Sequence, residues 1–137
     1  MGQQQFIVLV LCIILVGIAI ATGVRMTLVQ AKQSNLEAII NDLNNLGGLA
    51  YQYMIRPSSM QGSGGTAFSG FEQYFSLLPE KLKDNENGVY SVVSESSTRI
   101  IIKGISKSFP VDPPSGNVRW ISVDLNGGMI VYNEEPT

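Results

Sequence analysis

The chain has 137 residues and a net charge of −2, which leaves room for one modest domain beside a long helix. It has no histidine and a single cysteine, Cys12, which excludes disulfides within the chain, Ser–His–Asp and Cys–His nucleophile systems and the usual zinc sites. The nine basic and eleven acidic residues form no basic patch for nucleic acid. We therefore expect no catalytic activity, no cofactor, no metal and no nucleic-acid partner.

The first predicted element is an apolar helix at residues 6–24, which contain no charged residue. Nineteen helical residues span about 28 Å, close to the hydrocarbon thickness of a bilayer. The first basic residues, Arg25 and Lys32, follow the run, whereas a secretory signal has basic residues before a shorter apolar core. If the helix stayed in lipid, the positive-inside rule would leave the rest of the chain in the cytoplasm. The run therefore predicts a membrane-inserted segment.

The helix is expected to continue through Arg56, because no proline occurs before Pro57. Such a helix of about 50 residues would be about 75 Å long, far more than a bilayer requires. Its second part is amphipathic, with apolar residues spaced three and four apart on one stripe: Leu36, Ile39, Ile40, Leu43, Leu46, Ala50, Tyr53 and Met54. The sequence thus predicts an apolar segment (residues 1–25) and an amphipathic continuation (residues 26–56).

Two glycine pairs interrupt this pattern, Gly17 with Gly23 and Gly47 with Gly48. Each glycine costs about 1 kcal/mol relative to alanine inside a helix, so either region could bend or unwind locally. Small residues also permit close approach between helices, which is the alternative for Gly17 and Gly23. We assign helix flexibility to Gly17 and Gly23 as an expectation.

A small β-rich head is predicted at residues 57–137, and it begins with a glycine- and serine-rich loop at residues 57–70. This loop is expected to cross the surface, either as a glycosylated or displayed segment or as a plain flexible linker. The candidate hydroxyls are those of Ser58, Ser59, Ser63 and Thr66. A cluster rich in aromatic residues follows and is expected to pack onto the helix stripe: Phe68, Phe71, Tyr74, Phe75, Leu77 and Leu78.

Four strands are predicted at residues 89–94, 99–105, 118–125 and 128–132. Residues 95–98 form the turn of the first hairpin, and Asn126-Gly127, the strongest short-range hairpin signal, forms that of the second. A proline-bearing connection at residues 109–116 joins the two hairpins. Residues 84–88 have the composition of a calcium loop but lack the glutamate spacing of an EF-hand, so an acidic turn is predicted. The fold class is α+β, a long N-terminal helix packed against a small four-stranded antiparallel sheet.

This order of elements, together with the apolar run at residues 6–24, resembles the type IV pilin and type II pseudopilin family. The resemblance implies insertion in the inner membrane, processing by a prepilin peptidase, and polymerisation by the pilus assembly machinery into an extracellular filament at the cell surface. Met1 resembles the hydrophobic residue that begins the mature chain in that family. The residues implied in polymerisation are Met1, Gln5, Phe6, Leu9, Ile13, Gly17 and Ile20.

The chain departs from the family pattern in two respects. Most major pilins have glutamate at the fifth mature position, where it neutralises the N-terminal amine of a neighbouring subunit. Gln5 occupies that position here, and its amide oxygen accepts a hydrogen bond without cancelling a charge. If Met1 were the initiator, Gly2 would precede the cleavage and Gln3 would begin the mature chain. The disulfide-closed loop common near pilin C-termini is also absent.

These observations leave three functions open. The first is a structural subunit of a type IV pilus-like filament that self-assembles through its apolar helix. The second is a minor pilin or pseudopilin of a secretion or DNA-uptake system, which the departure at Gln5 leaves open. The third is a monomeric binding domain on a single-pass membrane anchor.

Overall fold

The computed structural model describes residues 2–108 and 118–137, so Met1 and the predicted connection at residues 109–116 lie outside the described residues. The elements are α1 (Gly2–Ile55), a 3-10 turn (Ser58–Met60), α2 (Phe71–Leu77), α3 (Glu80–Lys83), β1 (Gly88–Glu95), β2 (Arg99–Ser106), β3 (Val118–Asp124) and β4 (Met129–Tyr132). The strands form an antiparallel meander in the order β1-β2-β3-β4. The α+β class and its four-stranded antiparallel sheet are therefore confirmed.

The chain divides into two compact units, Met1–Ser34 and Asn35–Thr137. The first unit is α-helical throughout its described residues, including Gly17 and Gly23. A Cβ atom added at either glycine would meet nothing within 4 Å. Packing within the described chain therefore does not require glycine at these positions, and their flexibility stays a prediction.

The core of the second unit lies between the C-terminal part of α1 and one face of the sheet. The predicted stripe is confirmed, with Leu36 and Ile40 half-buried at its margin. Alternation along the strands places one set of apolar side chains toward α1, whereas Ile101, Val118 and Trp120 form a separate buried cluster. The buried core consists of Ile39, Leu43, Leu46, Ala50, Tyr53, Met54, Phe68, Phe71, Phe75, Tyr90, Ile100, Ile102, Ile121 and Val123. The aromatic cluster packs onto the helix as predicted, although Leu77 remains 74% exposed.

Gly47 lies where α1 approaches the sheet closely and leaves little room for a side chain. A Cβ atom there would lie 3.0 Å from Met129 Sδ and 3.2 Å from both Ile121 Cδ1 and Val123 Cγ2. A Cβ atom on Gly48 would meet nothing within 4 Å. Because α1 stays α-helical through both residues, the expected local unwinding is not found. Gly47 instead permits close packing between helix and sheet.

The glycine-rich segment after Pro57 forms an ordered cap at the C-terminal end of α1. The N–H groups of Ser63 and Gly65 donate to the carbonyls of Tyr53 and Met54, with N···O distances of 3.2 and 2.6 Å. The last carbonyls of an α-helix have no partner within the helix, so these bonds satisfy them. Gly65 has a φ of +87°, which glycine adopts without strain. These bonds place the backbone of this segment against the end of α1; whether it acts as a linker or as a displayed or glycosylated segment stays a prediction.

Candidate functional site

The largest uncovered apolar surface belongs to the helix of the first unit. All large apolar side chains at residues 6–24 are exposed, for example Phe6 at 67% and Ile13 at 63%. An 18-residue window of α1 has a mean hydropathy of 3.1 and is not buried at all, and α1 is the one described helix long and apolar enough to cross a membrane. Burial of a large apolar side chain is worth about 1.5–3 kcal/mol relative to water. This surface therefore requires lipid or protein around it.

Most of the residues implied in polymerisation share one face of this helix. Phe6, Leu9, Ile13, Gly17 and Ile20 follow one another at spacings of three and four, which align along an α-helix. We call these five residues the Ile13 face. Its side chains are all exposed, as is Gln5 beside it. Met1, the remaining predicted residue, lies outside the described part of the chain.

The two threonine hydroxyls in this helix have partners within the helix itself. Thr22 Oγ1 donates to the carbonyl oxygens of Ile18 and Ala19, at 3.0 Å each, and Thr27 Oγ1 donates to Gly23 O at 3.0 Å. A hydroxyl without a partner is costly in an apolar medium, because no water replaces the missing bond. The helix is therefore compatible with an environment from which water is excluded.

The exposed apolar surface extends beyond the lipid-length run. Met26, Leu28 and Val29 lie after Arg25 and are 65%, 59% and 66% exposed. The described helix of the first unit, residues 2–34, is about 50 Å long, whereas the hydrocarbon core of a bilayer is about 30 Å thick. A bilayer that covered residues 6–24 would leave these three side chains among headgroups or in water. Neighbouring protein helices could cover the whole length.

In the second unit, three polar side chains converge on Asp42 of α1. Asp42 Oδ2 accepts hydrogen bonds from Tyr90 Oη at 2.7 Å, Asn85 Nδ2 at 2.9 Å and Asn87 Nδ2 at 3.0 Å. Burial raises the pKa of Asp42, but the bonds from Asn87, Tyr90 and Asn85 outweigh it and hold the pKa below its ordinary value. Burial, with Asp42 alongside, raises the pKa of Tyr90, so its phenol stays a neutral donor. The cluster fastens residues 85–90 to α1.

The predicted acidic turn is confirmed by its hydrogen bonds. Asn85 Oδ1 accepts from the backbone N–H groups of Asn87 and Gly88, at 2.9 and 3.1 Å, which is the pattern of an Asx turn. Within residues 2–108 and 118–137, no three His, Cys, Asp or Glu side chains group together in a way that could hold a metal ion.

The four predicted glycosylation candidates differ in their surroundings. Ser58, Ser59 and Thr66 are exposed. Ser63 is half-buried, and its Oγ donates to Met54 O at 2.9 Å, so its hydroxyl contributes to the cap of α1. The sequence alone does not distinguish this serine from the others, because its partner lies nine residues earlier in the chain. Modification of Ser58, Ser59 or Thr66 stays a prediction.

Comparison with protein-family models, with curated proteins and with solved structures finds no match to this chain. The long apolar N-terminal helix and the small antiparallel sheet are compatible with a pilin-like fold and with membrane insertion. The exposed apolar surface of the first unit is the strongest candidate for a functional site.

Proposed function

We propose that this chain is a structural subunit of a type IV pilus-like filament, whose core forms when residues 6–24 of many copies pack together. The observation that carries the proposal is the uncovered apolar surface of this helix. Burial of the four large side chains of the Ile13 face would contribute about 6–12 kcal/mol per subunit relative to water. The stretch at residues 6–24 contains no charge, so its burial carries no charge-desolvation penalty.

The length of the apolar surface favours a polymer over a monomeric membrane anchor. A single-pass anchor would bury residues 6–24 in lipid and leave Met26, Leu28 and Val29 without cover. In a bundle of parallel, staggered helices, the N-terminal helix of another subunit would lie beside these residues. The exposed apolar surface, which extends to Val29, supports self-assembly as its function.

The proposed route to the filament passes through the inner membrane. Each subunit would first be held in the bilayer by residues 6–24. A prepilin peptidase and the pilus assembly machinery would then act on these membrane-inserted subunits. Transfer from lipid into the filament would keep the apolar surface away from water throughout. The second unit has its own buried core, so it would fold before assembly and be displayed on the filament surface.

Electron microscopy of cell-surface material tests this proposal. The full chain would be expressed in a bacterium with type IV pilus assembly machinery, and sheared material would be negatively stained and identified by mass spectrometry. We expect thin filaments composed of this chain, absent from cells that lack its gene. Recovery of the chain only as a membrane-embedded monomer, with no filaments, would favour the single-pass anchor and overturn the proposal.

A further inference from the structure

A cleft of about 260 Å³ opens in the second unit between the cap of α1 and helix α2. Its walls are formed by Tyr53, Gln61, Gly62, Gly70, Gln73 and Tyr74, with the exposed Leu77 beside them. Drug-sized ligands occupy sites of about 300–1,000 Å³, so this cleft suits a single ring-sized group. The cleft lies wholly within the second unit, so a ligand could bind there whether or not the chain forms a filament.

We propose that this cleft binds a neutral sugar residue. None of the lining residues has a carboxylate, ammonium or guanidinium group, and the carboxylate of Glu95 beside the cleft is already bound to the N–H groups of Gly70 and Glu72. Burial, followed by the charge of Glu95, raises the pKa of Tyr53, which keeps its phenol neutral. A neutral lining of aromatic rings and amides matches a ligand that has apolar C–H faces and hydroxyl groups at its edge.

The two glutamines supply the polar contacts. A primary amide offers both N–H donors and a carbonyl acceptor, which pairs with a hydroxyl in either direction. Gln61 and Gln73 are both exposed, and neither amide has a hydrogen-bond partner among the described residues. The amides are therefore free to bind a ligand in the cleft.

The aromatic wall is held in place before any ligand arrives. The rings of Tyr53 and Tyr74 have centroids 5.0 Å apart, and Phe71 packs against both of them. Tyr53 Oη donates to Ser69 O at 3.2 Å, which fixes this ring further. Rigid aromatic side chains present a large contact surface at low entropic cost. Tyr74 is half-buried and Leu77 is 74% exposed. Both side chains therefore leave apolar surface for the C–H face of a sugar.

The backbone at Gln61 suggests that its side chain has a role other than folding. Gln61 has a φ of +60°, and it is the one non-glycine residue with positive φ among the described residues. This left-handed region disfavours residues with a Cβ atom, so glycine would suit the backbone better. What glutamine adds at this position is an amide at the edge of the cleft.

Saturation-transfer NMR on the full chain in dodecylphosphocholine micelles, whose headgroup contains no sugar, tests the inference. The probes are methyl β-glucoside, methyl β-galactoside and N-acetylglucosamine. We expect saturation to be transferred from the protein to the ring C–H protons of at least one probe. Gln61→Gly and Gln73→Ala should each weaken its binding about three- to tenfold, the effect of one lost neutral hydrogen bond. Gln52→Ala, an exposed glutamine of α1 outside the cleft, serves as the matched control and should leave binding unchanged.

The Gln61→Gly variant separates loss of binding from loss of folding, because glycine suits a φ of +60° and should preserve the unfolding midpoint. Absence of saturation transfer to all three probes would overturn the inference. Equal binding by the wild type, Gln61→Gly and Gln73→Ala would overturn it as well. Failure of filament formation would leave the sugar site unaffected, so the two proposals fail separately.

Discussion

Gly47 and Gly48 are adjacent in α1 and provide a matched pair for measuring how tightly this helix packs on the sheet. Replacement of either glycine by alanine should gain about 1 kcal/mol from helix propensity. At Gly48 the new methyl group meets nothing within 4 Å, so the whole gain is expected. At Gly47 the methyl group would lie 3.0–3.2 Å from Met129, Ile121 and Val123.

The crowding at Gly47 sets the expected difference between the two variants. The flexible side chain of Met129, a residue 42% exposed, can move, but Ile121 and Val123 are fully buried, and overpacking of a core costs about 1–3 kcal/mol. We therefore expect Gly48→Ala to stabilise the second unit by about 1 kcal/mol and Gly47→Ala to be about 1–3 kcal/mol less stable than Gly48→Ala. For a domain of about 100 residues, each kcal/mol corresponds to a shift of about 4–8 °C in Tm.

Trp120 provides the readout for this comparison. It is the only tryptophan of the chain, it lies on β3, and it is 8% exposed, so its fluorescence reports unfolding of the second unit. Urea and thermal unfolding of the full chain in detergent micelles would be followed for both variants and the wild type. Equal midpoints for the two variants, or a higher midpoint for Gly47→Ala, would refute the close packing inferred at Gly47.

Two further predictions concern carboxylates that hold separate elements together. The folded-state pKa of Asp42 lies below its ordinary value of 3.8. The stability that its hydrogen bonds add to the second unit is therefore present above that ordinary pKa and is lost as the pH falls through the folded-state pKa. Asp42→Asn should cost on the order of 2 kcal/mol at neutral pH and reduce this pH dependence, as measured by urea unfolding across the acid range. Glu95 accepts from the backbone N–H groups of Gly70 and Glu72 at 2.5 and 2.7 Å, so Glu95→Ala should cost about 1–2 kcal/mol. An unfolding midpoint unchanged by Glu95→Ala would show that this carboxylate does not stabilise the start of α2.

The elements with local signals are predictable from the sequence. The second hairpin is an example, because a turn forms where Asn126-Gly127 indicates one. It is shifted by one residue: the Gly127 N–H donates to Asp124 O at 2.9 Å, so Leu125 and Asn126 form the centre of the turn and Gly127 follows at a φ of +78°. The strand predicted at residues 89–94 is β1, Gly88–Glu95, which differs by one residue at each end. Alternation, helical periodicity and turn residues act over a few positions, so a short stretch of sequence is enough to predict these elements.

The features that depend on distant residues are not predictable in the same way. Helix α2 has only seven residues, and its first N–H groups are bound by Glu95, which lies more than twenty residues later. No local pattern singles out Asp42, because its partners at residues 85–90 reach it only through the packing of the sheet on α1. The cap after Pro57 depends on carbonyls of the preceding helix, so its glycines alone indicate only a linker.

The candidate assembly surface follows from the sequence more directly than the cleft does. Composition alone indicates that residues 6–24 need lipid or protein around them, and helical spacing defines the Ile13 face. The sugar cleft combines residues from α1, its cap and α2, so no local pattern indicates it. In the sequence, Gln61 is only a polar residue of a glycine-rich loop.

The most direct test of the central claim compares Ile13→Asp with Ile13→Leu in cells that assemble the filament. Ile13→Leu conserves volume and should leave filaments intact. Ile13→Asp would place an unpaired carboxylate in a dry core, at a cost of several kcal/mol per subunit. We predict that Ile13→Asp abolishes filaments in sheared material, while Trp120 fluorescence shows a folded second unit and the membrane pool persists. Normal filaments from Ile13→Asp would contradict the claim that the apolar helix forms the core of the polymer.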